Sequence, residues 1–492
     1  MEATNVFGCV VLIHLFIYCL DRYLKKNNPQ RYVHFLPMNS IQIDFMNLRW
    51  TTPLFNKKIS NWATKRTKIL CWWYSLGTII TVLLFVPSLV LLTSTAIVSF
   101  ENMRQHKNEE AILQAVVPGV NLPSSDLPYY LFTLLVCTAV HEIGHAVAAV
   151  KYNNSYLLNE QIPLVSLGLI VWLFVPAAFV ELPTKDMTSL SPWKQLKIYC
   201  AGVWHNIVLS VLAFVIMTLL PILLIPLFQT GVGVSVLNLD AYSAGGHHDF
   251  QIGDQLTGVN DCHVIDDETW KRCLAATLHA SSSGFCINNA YLSGFVASDQ
   301  LDCCNNSELS QSHLCFLSSY DPILRNPYCL RAREVTELSS AWCSNHEDCT
   351  PNQSCLKSLF RSKLANESDF LRLILIQRKN AASIIFVGQP DEIYRFISVS
   401  NYVPRTLIGP TFINVIHHLL WYMFSFSAGL AVLNVVPCIH MDGQHIVGAL
   451  TETVFKGRAS VYVKQLAERA LIISGTSLII VNVAFGLLAM FS

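Results

Sequence analysis

The chain has 492 residues, of which 52 % are apolar and 13 % charged, about half the charged share of a typical soluble domain. Thirty-three basic residues balance 33 acidic ones, and no Lys/Arg tract is interleaved with aromatics, which argues against a nucleic-acid partner. The composition is that of a polytopic membrane protein.

In chain order, residues 6–20 are apolar, with almost no basic residue before them and no small-residue cleavage site after them. They predict an uncleaved signal anchor. Residues 21–71 carry ten basic side chains against only Asp21 and Asp44, which by the positive-inside rule favours the cytosol. This stretch reads as a solvated juxtamembrane loop in preference to a specific lipid site. Residues 72–99 predict a span opening on the interfacial cluster Trp72, Trp73 and Tyr74.

The next apolar run, residues 127–150, contains V-H-E-I-G-H-A at 140–146. At ~1.5 Å per residue it is long enough to cross ~30 Å of hydrocarbon. His141 and His145 are four residues apart, so on a helix both imidazoles leave one face and can bind one divalent metal, with Glu142 beside them as general base. A pair of helical histidines is often only a hydrogen-bonded core feature. At bilayer depth, however, each charge costs about 2.5–3.5 kcal/mol unless it is paired or metal-bound, which favours a functional site.

Residues 164–180 are apolar but short, broken by Gly168 and Pro176 and rich in Val, Ile and Phe. They predict a re-entrant segment covered by protein rather than a straight spanning helix. Residues 197–228 form a further apolar stretch with Gly202, His205 and Asn206 near its start. Polar groups at that depth are either interhelical glue or site-lining groups, and chemistry alone does not separate the two.

At Gln229 the composition changes, and residues 229–411 are polar enough for a soluble domain. Ten of the sixteen cysteines fall between Cys262 and Cys355. That density predicts disulfides in an oxidising compartment, whereas a zinc knuckle lacks its paired C-x-x-C spacing. Sequons at Asn305, Asn352 and Asn366 add to a lumenal or extracellular placement. The domain plan is thus 1–228, 229–411 and 412–492.

After this domain, residues 412–437 are apolar and lead into N-V-V-P-C-I-H-M-D-G at 434–443; residues 470–491 form the last apolar segment. Two histidines need a third protein ligand. Asp442 is the candidate, following Pro437, which ends a helix, and preceding Gly443, which allows close backbone approach. His440 is its rival, and Asp442 as a simple helix-end cap is the plain alternative. If residues 229–411 are lumenal and 164–180 does not cross, the spans carrying His145 and Asp442 run in the same direction. Both ligand clusters then reach similar depth near the cytosolic end.

H-E-I-G-H, the A-G-V-W-H-N stretch at 201–206, the cysteine-rich insertion and N-V-V-P-C-I-H-M-D-G together resemble the eukaryotic site-2 proteases, over nearly the whole chain in order and spacing. The resemblance implies an intramembrane zinc metalloprotease of the Golgi and endoplasmic reticulum with one Zn2+ per chain. Its implied substrates are membrane-bound transcription factor precursors, namely sterol-regulatory element-binding proteins and unfolded-protein-response factors, cleaved within the transmembrane segment after a first lumenal cut. It also implies His141, His145 and Asp442 as ligands, Glu142 as catalytic base, and Asn206 and Asn434 bordering the site. Met441 replaces the usual Leu, a volume-conserving change. A PDZ-like lumenal domain split by the cysteine-rich insertion is a further implication. Residues 231–234 and 250–256 resemble its first half, and 383–388 a later strand; a disulfide-stapled module without a ligand groove is the alternative. The expected fold class is a polytopic α-helical membrane protein with an intramembrane zinc site and a lumenal α+β domain. Two other classes remain open: a non-catalytic zinc transporter or sensor, for which only scattered groups such as His417 and His418 speak, and a prenyl-protein-type zinc protease, which uses a Glu as third ligand.

Overall fold

The computed structural model describes residues 2–27, 40–105, 124–152, 166–173, 175–182, 187, 189–239, 250–279, 284–297, 303–304, 313–318, 327–359, 372–388, 390–406 and 408–491. These divide into two compact units, Met1–Thr218 with His417–Ser492, and Leu219–Ile416.

The first unit begins with α1 (Glu2–Asn27). It is a helix, as the signal-anchor expectation requires, but it is not among the five described helices long and apolar enough to cross a membrane. Its apolar run is short and interrupted by His14, which bonds the Leu173 carbonyl at 2.5 Å. Strands β1 (Ile41–Asp44) and β2 (Asn47–Thr52) form a hairpin. The amphipathic helix α2 (Asn56–Lys65) follows, and then α3 (Thr67–Gln105) and α4 (Leu127–Tyr152), both of membrane-crossing length.

The segment expected to be re-entrant rather than a straight helix is a β-hairpin, β3 (Ser166–Trp172) and β4 (Val175–Glu181), which completes a four-stranded antiparallel sheet in the order β1-β2-β3-β4. Leu164 and Val165 lie outside the described residues. The residue types that ruled out a straight helix also explain the strands: β-branched and aromatic side chains suit a pleated surface, and Gly168 leaves room for the Phe179 ring facing it across the pair. Arg49 ties β2 to β4 through Glu181 and lies over the Phe179 ring. The long helix α5 (Pro192–Leu223) comes next.

In the second unit, β5 (Phe228–Gln229), β6 (Val234–Leu239), β7 (Gln255–Val259) and β8 (Cys262–His263) precede α6 (Asp267–His279). A separate five-stranded sheet is built from β9 (Gly284–Asn288), β10 (His313–Ser318), β11 (Pro327–Arg331), β12 (Trp342–Cys343) and β13 (Gln353–Leu359), with α7 (Ala332–Leu338) beside them. The chain then returns to the first sheet through β14 (Arg372–Arg378), β15 (Ile384–Gly388), α8 (Pro390–Phe396) and β16 (Ile397–Ser400), giving the order β15-β14-β7-β6-β16, before β17 (Val403–Pro404) pairs with β5. Trp270, Leu256, Ile374 and Ile376 centre one core and Phe285, Phe316, Leu330 and Leu356 the other. The cysteine-rich sheet is therefore an insertion into a second sheet. Strand β6, which follows the Gly231–Val234 segment, has both edges engaged, by β7 and by β16.

All ten cysteines of this unit pair, as Cys262–Cys273, Cys286–Cys349, Cys303–Cys315, Cys304–Cys329 and Cys343–Cys355. The Cys286–Cys349 bridge closes the longest loop, 63 residues apart in sequence, for which loop-closure entropy gives up to about 4 kcal/mol. Replacing both by Ser is expected to lower the temperature at which residues 284–359 become protease-sensitive in the full-length protein, read from the cleavage sites. The six remaining cysteines, Cys9, Cys19, Cys71, Cys137, Cys200 and Cys438, are free thiols.

The first unit closes with α9 (Thr411–Val435), α10 (Asp442–Val454) and α11 (Val461–Phe491). Helices α9 and α11 bring the membrane-length helices to five. Asn482 of α11 donates to the Leu92 carbonyl of α3 at 3.1 Å, a polar tie between two otherwise apolar helices.

Candidate metal centre

Three segments distant in sequence supply the site. Helix α4 presents His141 and His145 one turn apart on a buried face, because 3.6 residues per turn stacks i and i+4. Helix α5 packs directly over them, and small residues permit it. A Cβ on Gly144 would fall 2.7 Å from the Ala201 carbonyl and from His205 Nδ1, and one on Gly202 would fall 2.6 Å from His141 Cε1 and Nε2 and onto His145 Nε2. The third segment is the break between α9 and α10. Val435 ends the first helix, His440 takes a left-handed backbone turn (φ 69°), and α10 starts at Asp442. Gly443 is required there because any side chain would run into the Val436 carbonyl.

This break brings Asp442 Oδ2 to 2.9 Å from His141 Nε2 and 3.2 Å from His145 Nε2, while the two Nε2 atoms are 3.1 Å apart. Asp442 is thus the first residue of the helix rather than its cap, which is Met441. His440 is exposed, its backbone N–H bonded to Gln444 Oε1 at 3.2 Å, and does not join the group. His417 and His418 lie on α9, His418 stacked on Tyr129, and do not join it either. Among the described residues the other converging donor groups are cysteines held in disulfides.

The orientation of each imidazole tests whether a metal fits. His145 Nδ1–H donates to the Ile198 carbonyl at 2.8 Å, which leaves the Nε2 lone pair facing the centre. His141 Nδ1 lies 3.1 Å from the Asn206 side-chain nitrogen, while Asn206 Oδ1 is buried without a partner. Turning that amide over, a change of no steric consequence, places Oδ1 as acceptor for His141 Nδ1–H and leaves the His141 Nε2 lone pair facing the centre. Two Nε2 lone pairs and a carboxylate oxygen then converge in a buried space, mutually repulsive unless a cation lies among them. A His₂Asp set with both outer nitrogens tied down suits Zn2+.

Glu142, next to His141 on α4, also reaches β4, where its Oε2 accepts the Val180 N–H at 3.0 Å. One turn earlier, Thr138 Oγ1 accepts the Ala178 N–H at 3.1 Å. Asn434 lies in the last turn of α9, half-buried, with no side-chain hydrogen bond among the described residues. Asn352 is exposed in a turn before β13, whereas Asn305 and Asn366 lie outside the described residues. The close-approach roles of Gly144 and Gly202 escaped the sequence reading. The available signal was small residues inside two apolar helices, which mark helix contacts in membranes.

Asn206→Ala is expected to weaken metal binding about 10–100-fold, the usual cost of removing an outer-shell partner. Zinc retention under graded chelator measures it.

The model of peptidase family M50 matches residues 129–478, an interval that contains every residue of the His141, His145, Asp442 and Glu142 cluster. The chain is also 24 % identical over 442 residues to a membrane-bound transcription factor site-2 protease homolog of Arabidopsis thaliana, covering 80 % of this chain and 83 % of that protein. A match of this extent, centred on the paired histidines, makes the chain a member of peptidase family M50, a family of metalloproteases.

Proposed function

We propose that the protein is an intramembrane zinc protease that cuts membrane-anchored transcription factor precursors within their transmembrane segment, after a first lumenal cut. The observation that carries the reading is the convergence of His141, His145 and Asp442 on one point, with Glu142 next to them on a helix long enough to cross the membrane. Bound Zn2+ supplies Lewis acidity and brings water toward neutral acidity. Glu142 takes the water proton on its carboxylate and returns it to the nitrogen of the departing amide. His141 and His145 hold their Nε2 atoms on the centre through Asn206 and the Ile198 carbonyl, and Asn434 offers an unengaged amide from the third segment.

A transmembrane helix has to unwind before its amides can be attacked, and strand addition is one way to hold it. On β4 the outward N–H groups of Ala178 and Val180 are taken by Thr138 and Glu142. A substrate strand at that edge would compete for the Val180 N–H and leave the Glu142 carboxylate free for proton transfer. The five disulfides and the exposed Asn352 sequon support a lumenal place for residues 229–411, and a PDZ-like reading of its outer sheet rests on the resemblance.

The test is cleavage of a membrane-anchored precursor, trimmed and untrimmed on its lumenal side, by purified protein with zinc content measured alongside. Cuts within the transmembrane segment of the trimmed form support the proposal. Cuts confined to its soluble flanks overturn it. Glycosidase treatment is expected to increase gel mobility, and loss of that shift in Asn352→Gln, Asn305→Gln or Asn366→Gln identifies the site.

A further inference from the structure

The basic stretch that reads as a plain solvated loop has an organised surface. Helix α2 buries Ala63 completely, with Ile59 beside it, against Val147, Ala148, Ala149 and Tyr152 at the end of α4, the turns that follow His145. Its outer arc carries Lys57, Lys58, Asn61, Trp62 and Lys65, all exposed. No acidic residue occurs between Phe45 and Leu70, and no described carboxylate pairs with Lys57, Lys58 or Lys65.

Large apolar groups are interleaved with these cations: Leu54 is 73 % exposed, Trp62 53 % and Trp72 67 %. Trp72 lies in the first turns of α3, which starts two residues after α2 ends and runs on as a membrane-length helix. A soluble face would not expose indoles beside a helix that enters lipid. An interfacial helix would, with its apolar groups at the acyl boundary and its lysine stems reaching up to the headgroups.

We propose that α2 is an interfacial helix whose Lys57, Lys58 and Lys65 bind the headgroups of anionic phospholipid, with Trp62 seated at the acyl boundary beside them. Charge complementarity and continuity with α3 select a lipid leaflet over a soluble anion. Because the inner face of α2 packs on the end of α4, lipid held on the outer face bears on the helix that carries the paired histidines.

The test uses the full-length protein in vesicles of phosphatidylcholine containing equal mole fractions of either brominated phosphatidylserine or brominated phosphatidylcholine. The Trp62 signal is the difference in tryptophan fluorescence between the native chain and Trp62→Phe. Stronger quenching of that signal by the brominated phosphatidylserine is expected. Each basic residue near an anionic surface is worth about fivefold in partition, so Lys57→Gln/Lys58→Gln/Lys65→Gln is expected to lose preference on the order of a hundredfold and show equal quenching by both lipids. Lys→Arg at the same three positions keeps the charge and is expected to keep the preference, which separates charge loss from misfolding. About 1 M salt, where the Debye length falls to ~3 Å, is expected to abolish it. Equal quenching in the native chain would mean apolar anchoring alone, and no quenching by either lipid a solvated face. Either result overturns the proposal, as does preference persisting in the Gln variant or abolished by soluble glycerophosphoserine.

Discussion

Glu142→Gln is expected to lose cleavage by 10²–10⁴-fold or more, the range attributed to a positioned general base, while retaining its metal. The substitution is a clean probe because of what Glu142 also does. Its Oε2 accepts the Val180 N–H, and a glutamine carbonyl can accept the same bond, so the anchor between α4 and β4 survives and only the proton acceptor is lost. Glu142→Ala removes both, and any further loss it shows over Glu142→Gln reports the strand anchor. His141→Ala and Asp442→Ala are expected to lose metal and cleavage together. Each leaves the other donors in a buried space with nothing to hold the cation in a closed set. Zinc content and cleavage measured on the same purified samples separate the two classes. Cleavage near the native rate by metal-loaded Glu142→Gln would remove Glu142 from the proton-transfer role. Full occupancy in Asp442→Ala would send the search for a third ligand elsewhere.

Much of this site is legible in sequence because its chemistry is tied to local spacing. The i, i+4 histidines sit on one helical face whatever the rest of the chain does, and Pro437 with Gly443 announces a broken helix that turns a side chain inward. The choice between Asp442 and His440 is different in kind. Both flank the same break, and only the left-handed turn at His440 sends one side chain to the histidines and leaves the other exposed. Residues 164–180 were legible as not being a straight span, since Gly168, Pro176 and the β-branched content all oppose one. Their pairing with residues 47–52, more than a hundred positions earlier, has no local signature. Asn206 illustrates a third limit. Its depth marked it as polar glue or site lining, but its relation to His141 Nδ1 depends on how α4 and α5 cross.

That crossing leads to the second large effect. Gly202→Ala adds one methyl group to the first third of α5, where it meets both imidazoles, 2.6 Å from His141 Cε1 and Nε2. Non-bonded carbon contacts are comfortable only near 3.5–4 Å, so α4 and α5 have to separate by about 1 Å or the rings have to rotate. Rotation breaks the bonds from His145 Nδ1 to Ile198 and from His141 Nδ1 to Asn206. Separation draws both histidines away from Asp442, which is fixed on a different segment by the contact of Gly443 with the Val436 carbonyl. A displacement of 1 Å at a reacting centre costs about 10²-fold, and the same shift weakens a metal site that needs three donors at once. Gly202→Ala is therefore expected to lose at least that much cleavage and to release zinc at lower chelator concentration than the native chain. Gly429→Ala supplies the control, since Gly429 also lies in a membrane-length helix but has nothing within 4 Å of its added Cβ; it is expected to keep both zinc and cleavage. If Gly202→Ala behaved like Gly429→Ala, the close crossing of α4 and α5 would not be what holds the imidazoles in register.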